Sequence, residues 1–201
     1  MHAVIFDIDG TLLDSYGADG ALYIAAVESV LGRVRIRESW GEYQHVTDSG
    51  ILDAILQDNG LRRDPGILTT IKSKFVENLR CHIEEYGPFP EIPGARDFVR
   101  SICRAADRKC AYATGSWSAS AVIKLESAGF PVQGVSLSSA DDSHERRVIM
   151  EHALRQIGDC ATVTCYGDGT WDREAALSLG WRFVPVGAAL GGITRFERHG
   201  A

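Results

Sequence analysis

The chain reads as an α/β protein: a Rossmann-like parallel sheet interrupted after its first strand by a helical insertion. Three features carry that reading. Residues 3–6 (AVIF) form a short apolar run that ends in Asp7, Asp9 and the Gly10-Thr11 pair. Such a run closed by a glycine turn is the pattern of a strand buried on both faces, as strands of parallel sheets are. Residues 16–88 show helical periodicity and no strand pattern, whereas from Gly94 onward strand and helix patterns alternate. That alternation implies right-handed βαβ units.

In order along the chain, the first helix is expected over Gly20 to Leu31, with Leu22, Ala25, Ala26, Ser29 and Val30 on one face and Gly32 as its stop. A second follows Asp48, with Ile51, Leu52, Ile55 and Leu56 on a face and Asn59-Gly60 at its end. A third runs from about Pro65 to Tyr86 and stops at Gly87-Pro88. The Pro-rich GPFPEIPG is expected to be the hinge back to the sheet, which divides the chain into a core of residues 1–15 and 89–201 and an inserted unit of residues 16–88. Beyond it, helices are expected over Ala95–Ala106, Ser118–Ala128, Arg146–Ile157 and Arg173–Leu179. Strands are expected over Lys109–Thr114, Gln133–Leu137 (weaker), Thr162–Tyr166 and Trp181–Val186.

Composition narrows the function classes. At 201 residues the chain can bury a substantial core, and 45% hydrophobic with 24% charged residues is ordinary for a globular protein. A formal net charge of −6 and no basic run give no electrostatic case for nucleic acid or anionic membrane as a partner. The start MHAVIFDIDG lacks the flank and length of a secretion signal, and no apolar window is long enough to span a bilayer. The five cysteines form no CxxC pair, and Cys110 and Cys165 lie in apolar runs, which suits reduced thiols. A cytoplasmic location is expected.

The chemistry concentrates at strand ends. Asp7 and Asp9 stand one residue apart near the carboxyl end of the first strand, the end where open α/β sheets bind ligands. Buried carboxylates there are costly unless a cation or a reaction uses them. Gly10 permits a tight turn and leaves the Thr11 hydroxyl available. In ATGSW (113–117) a strand meets a glycine turn and a helix start, so the Thr114 hydroxyl and the Gly115 and Ser116 amides are candidates to hold one anion. The alternative is an ordinary N-cap by Ser116 or Ser118. In CYGDGTWD (165–172) Asp168 ends another apolar strand and Asp172 follows four residues later. With the first pair they make an oxygen-rich pocket suited to Mg²⁺; their alternative is as helix-start acids favoured by the dipole.

Together these stretches resemble the haloacid dehalogenase superfamily, in the phosphoglycolate phosphatase and β-phosphoglucomutase-like group with a small helical cap. DIDGT matches its DxDGT motif, ATGS its strand ending in Thr or Ser, and GDGTWD its GDxxxD motif. The family's basic residue is usually a Lys. This chain has no Lys after Lys124, and SHERRVIMEHAL resembles an Arg variant that points to Arg146, with Arg147 or His144 as alternatives. The resemblance implies a phosphatase in which Asp7 attacks phosphorus to form an aspartyl-phosphate. Asp9 then acts as acid and base. Mg²⁺ is held by Asp7, the Asp9 carbonyl and Asp168 with Asp172 in support, while Thr114 and Arg146, with Gly10, Thr11 and Gly115, bind the phosphate. Asp9 itself argues for phosphate-ester chemistry, because dehalogenases of this family lack Asp there.

The inserted residues would form the cap, with His45, Thr47 and Asp48 as substrate contacts and Lys72, Lys74 and Arg80 further on. His2, His82, His152 and His199 have no assigned partner. The expected ligand is a small phosphorylated metabolite, and the expected state a monomer or homodimer. A β-phosphoglucomutase-like phosphomutase shares every catalytic residue and is the alternative reaction; a non-catalytic binding protein on this fold is the alternative class.

Overall fold

The computed structural model describes residues 1–197. Five parallel strands form one sheet in the order β3-β2-β1-β4-β5: β1 (His2–Phe6), β2 (Arg108–Ala113), β3 (Ser136–Ser138), β4 (Thr162–Gly167) and β5 (Arg182–Pro185). The order reverses at β1. Its two neighbours β2 and β4 send their connections to opposite sides, which opens a crevice at the carboxyl end of the sheet where Asp7 emerges. β1 is central, and Ala3 to Phe6 are nearly or fully inaccessible, as a strand covered on both faces requires.

Three helices lie between β1 and the rest of the sheet: α1 (Tyr16–Leu31), α2 (Asp48–Asp58) and α3 (Pro65–Tyr86). Asp64 caps α3 by accepting the Gly66 and Ile67 amides, and Pro65 occupies the first helical position, where its missing N–H does no harm. Four further helices, α4 (Ala95–Arg104), α5 (Ser118–Ser127), α6 (Arg146–Ile157) and α7 (Thr170–Ser178), flank the sheet. The larger apolar core joins the β1 face to α1–α5 through Phe6, Phe75, Phe98 and Trp117. A smaller one packs α6 and α7 on the other face through Ile5, Ile149, Met150 and Ala176.

Several expected boundaries shift. α1 begins at Tyr16 and buries Tyr23, Ala26 and Val27, while Ala25 and Ser29 face outward. Leu22, Ala26 and Val30 of the expected face do pack on the core, but the larger apolar Tyr23 and Val27 take its centre. β3 is shorter than expected and starts at Ser136, because Val132 to Val135 close a turn around Gly134 at φ 78°. α7 starts three residues earlier than expected, which places Asp172 inside its first turn. α4 ends at Arg104, where Ala105 takes an extended backbone.

Candidate active site

The sheet's carboxyl end meets the helical insertion at a cavity of about 630 Å³, counting its open mouth. Asp7, Asp9, Thr114, Gly115, Ser116, Arg146 and Asp168 form its floor, and Tyr16, Tyr23, Trp40, Thr47, Asp48 and Trp171 its walls.

Arg146 organises the floor. It is the first residue of α6 and 8% exposed, and its guanidinium donates from Nη2 to Asp7 Oδ1 and from Nε to Asp172 Oδ1. The planar fork can serve both acids at once, which an ammonium cannot do with the same geometry. Its Nη1 is buried and has no hydrogen-bond partner. Of the basic residues considered for this position, Arg147 is exposed and pairs with Glu151, and His144 sits beside Asp53. Only Arg146 reaches Asp7.

Carboxylate oxygens of Asp7, Asp168 and Asp172 all lie within 4.8 Å of one another. Burial, reinforced by the neighbouring acids, pushes Asp7 up to about 7 against the pull of Arg146. Burial followed by the Asp7 and Asp172 charges pushes Asp168 up to about 8. Among the described residues, Arg146 is the only cation bonded to Asp7 and Asp172. Asp9 belongs to a separate network: Lys124, fully buried on α5, donates to both its oxygens (2.6 and 2.7 Å), and Ser15 (2.6 Å) and Ser116 (2.7 Å) add one bond each. Burial alone would raise Asp9, but the Lys124 ammonium turns the shift downward.

The turn residues support the acids rather than the cavity. Gly10 donates its N–H to the Leu13 carbonyl (2.8 Å), and Thr11 donates its hydroxyl to Asp7 Oδ2 (3.1 Å); neither lines the cavity. Gly10 has φ +77°, and a Cβ there would fall 2.1 Å from Asp168 Oδ2. Gly10→Ala is therefore expected to lose about 1–2 kcal/mol from backbone strain alone, with further loss from displacing Asp168. Urea unfolding would check it; an unchanged midpoint would contradict this packing.

At the β2 end, the Thr114 hydroxyl accepts the Ser116 amide (3.1 Å), so that amide is already committed. The next two amides are committed too, Trp117 N–H to Asp48 Oδ2 and Ser118 N–H to Asp141 Oδ2, both at 2.8 Å. The start of α5 thus offers no free row of donors, and neither Ser116 nor Ser118 is its N-cap, a position held by Trp117.

From the insertion, Thr47 caps α2 by accepting the Gly50 amide and donates to the His144 carbonyl (3.1 Å). The Asp48 N–H donates to Gly115 O (2.7 Å) and the Asp48 carbonyl accepts the Tyr23 hydroxyl (2.8 Å). Both residues line the cavity; His45 does not. Lys72 is occupied by Asp141 and by the face of Trp117, Lys74 by Glu77, and Arg80 is exposed. His2 pairs with Thr162 Oγ1 (2.6 Å), and His82 stacks on Phe89 (5.1 Å). His199 lies outside the described residues.

The sequence profile of haloacid dehalogenase-like hydrolases matches residues 1–180. The chain belongs to that family. Solved structures agree on the fold. A hydrolase from Pseudomonas syringae is 19% identical, with 92% of this chain and 84% of that one covered and a TM-score of 0.72. CbbY from Rhodobacter sphaeroides, in complex with phosphate, is 19% identical over 98% of this chain and 89% of its own, with a TM-score of 0.70. β-Phosphoglucomutase from Clostridium difficile is 15% identical over 94% of this chain and 85% of its own, also with a TM-score of 0.70. A comparison with curated proteins finds no match. No helix among the described residues of this hydrolase is long and apolar enough to cross a membrane.

Sequence reasoning passed over Lys124 and Asp19. The available signal was the α5 stripe Ser120, Ala121, Lys124 and Leu125, which sets a lysine among residues destined for burial.

Proposed function

We propose that this hydrolase is a Mg²⁺-dependent phosphatase of a small phosphomonoester, working through an aspartyl-phosphate on Asp7. The observation that carries the reading is Arg146: tied to Asp7 and Asp172, it keeps a buried Nη1 donor without a partner beside the cavity. A phosphoryl oxygen would satisfy that donor with a charge-assisted bond. The donor set suits a hard divalent cation, since oxygen ligands of Asp7, Asp168 and Asp172 converge. When bound, Mg²⁺ would neutralise charge on the phosphoryl oxygens.

The chain's own residues would do the rest. Asp7, oriented by Thr11 and Arg146, attacks phosphorus. Asp9 in its protonated form gives a proton to the leaving oxygen, and the ionised carboxylate that results, the form Lys124 favours, then takes one from the attacking water. Thr114 holds the strand end against which the phosphate rests. Residues 16–88 act as a cap on a core of residues 1–15 and 89–201, with Thr47 and Asp48 closing onto Gly115 and the His144 carbonyl to exclude water. A side chain on Gly115 would meet the Val46 carbonyl at 2.8 Å, so Gly115→Ala should raise KM more than it lowers kcat by holding the cap away. Steady-state kinetics would check it.

Phosphatase is favoured over phosphomutase because Arg146 is the only Lys, Arg or His lining the cavity among the described residues. A second phosphate would face Asp19, Asp48 and aromatic rings instead.

The direct test is phosphate release from a panel of monophosphates and bisphosphates, with Mg²⁺ and with EDTA. Metal-dependent release from monophosphates supports the reading; none from any ester, including an aryl phosphate, overturns it. A pH test follows from the acids. Asp7 and Asp168 are raised in the fold from 3.8 to about 7 and about 8, so they contribute stability that is present below about pH 4 and lost as pH rises through 7 and 8. Mg²⁺ needs the ionised forms. Its thermal stabilisation should be larger at about pH 8.5 than at about pH 5; equal shifts would contradict binding at these acids.

A further inference from the structure

A lysine without solvent contact stands behind Asp9. Lys124 is 0% exposed, rises from the last turn of α5, and reaches Asp9 Oδ1 (2.6 Å), Asp9 Oδ2 (2.7 Å), Asp19 Oδ1 (2.9 Å) and Ser116 Oγ (3.0 Å). An ammonium has three protons, and these contacts use all of them. The cluster ties together three separate elements: the loop after β1 through Asp9, the first turn of α1 through Asp19, and α5 through Lys124.

We propose that Lys124 is a positioning residue of the active site, fixing the orientation of the Asp9 carboxylate with Asp19 as its second counter-charge. This rests on the phosphatase reading above, in which Asp9 serves the leaving oxygen. Geometry supplies the reason. Ser15 bonds Oδ1 and Ser116 bonds Oδ2, while Lys124 bridges both oxygens and is the one charged partner among them, so its ammonium is the strongest hold on the carboxylate. Remove the ammonium and the Asp9 and Asp19 carboxylates face one another in a buried space with no charge between them, a strongly unfavourable arrangement. Asp9 would then turn away from Asp19, and its reach to the leaving oxygen would change. Lys124 does not line the cavity, so it touches neither phosphate nor leaving group.

A structural and a positioning role separate on leaving groups. An alkyl phosphate needs a proton on its departing oxygen, whereas 4-nitrophenyl phosphate leaves as a stable anion. General acid help is typically worth about 10²–10⁴-fold. Disorienting Asp9 should therefore lower kcat/KM, which reports only the steps up to phosphoryl transfer, for the alkyl ester alone, while its role as base shows in kcat for both. The experiment compares kcat/KM for both esters in wild type, in Lys124→Met, and in the double variant Lys124→Met with Asp19→Leu. The double variant replaces the Lys124–Asp19 pair by apolar groups, a change commonly tolerated, and leaves Asp9 at the cavity lining with its Ser15 and Ser116 bonds. It therefore decides the question if the single variant does not fold.

The expected result is a fall of at least about 30-fold for the alkyl ester and under about fivefold for the aryl ester. An equal fall for both esters, or no fall for either in the folded double variant, overturns the proposal. Wild-type protein that hydrolyses neither ester overturns the phosphatase reading itself. Wild-type turnover with an unchanged alkyl-to-aryl ratio in the variants removes only the role given to Lys124.

Discussion

Asp7→Asn is expected to lower phosphate release by at least about 10³-fold while leaving the fold intact. Asn keeps the size of Asp, but Thr11 and Arg146 donate to different oxygens of Asp7, so its single amide oxygen keeps the Arg146 bond and gives up the Thr11 one. It cannot attack phosphorus at a useful rate, because the amide oxygen carries no charge and its product would be unstable. The effect belongs in kcat, since an amide should still admit phosphate to the cavity. Stability should move in the opposite sense to activity. Asp7 is held in a crowded set of acids and is raised to about 7, so neutralising it at pH 8 relieves repulsion with Asp168 and Asp172. Loss of turnover with an unchanged or raised melting temperature is the signature. Turnover that survives the change would remove Asp7 from the mechanism.

Arg146→Ala is the second large effect, and it strikes fold and activity together. The guanidinium is the only charge-compensating group bonded to Asp7 and Asp172 among the described residues. Deleting one member of a buried ionic network typically costs about 3–5 kcal/mol, because the partners are left charged without compensation. The cavity would also lose its one cation, and with it the unpartnered donor that faces the expected phosphate. Arg146→Lys separates the two losses. One ammonium keeps the charge but cannot reach Asp7, Asp172 and a phosphate oxygen together, so stability should largely return while kcat/KM stays low. Calorimetry with steady-state kinetics on both variants would check this. If Lys restored both quantities, the planar fork would not be what the site uses.

How much of this was legible in the sequence follows from how local each feature is. β1 and its acidic terminus were readable because an apolar run, a glycine and alternating acids all lie within nine residues. The α3 boundaries were readable because Pro65 and Gly87 punctuate them. The basic residue could be narrowed to Arg146, Arg147 or His144, but choosing among the three required knowing which side of α6 faces β1, a tertiary fact. The centre of the α1 core face was misjudged because small residues were weighed equally with Tyr23 and Val27, whose bulk decides which side packs deepest. The Ser116 amide looked free for an anion, yet the Thr114 hydroxyl accepts it, and the next amide, that of Trp117, goes to Asp48 from nearly seventy residues away. Lys124 stayed hidden for the same reason: its partners Asp9 and Asp19 are more than a hundred residues distant in sequence.

The central claim is that Asp7 becomes phosphorylated during turnover. It is tested most directly by quenching Asp9→Asn in acid during reaction with 4-nitrophenyl phosphate and Mg²⁺, then mapping the phosphorylated peptide by mass spectrometry. The aryl leaving group needs no proton, but Asn at position 9 cannot activate water, so the intermediate should accumulate. Phosphate is expected on the peptide that carries Asp7, appearing with the burst of nitrophenolate. A burst with no phosphorylated peptide, or label on any other residue, would contradict it.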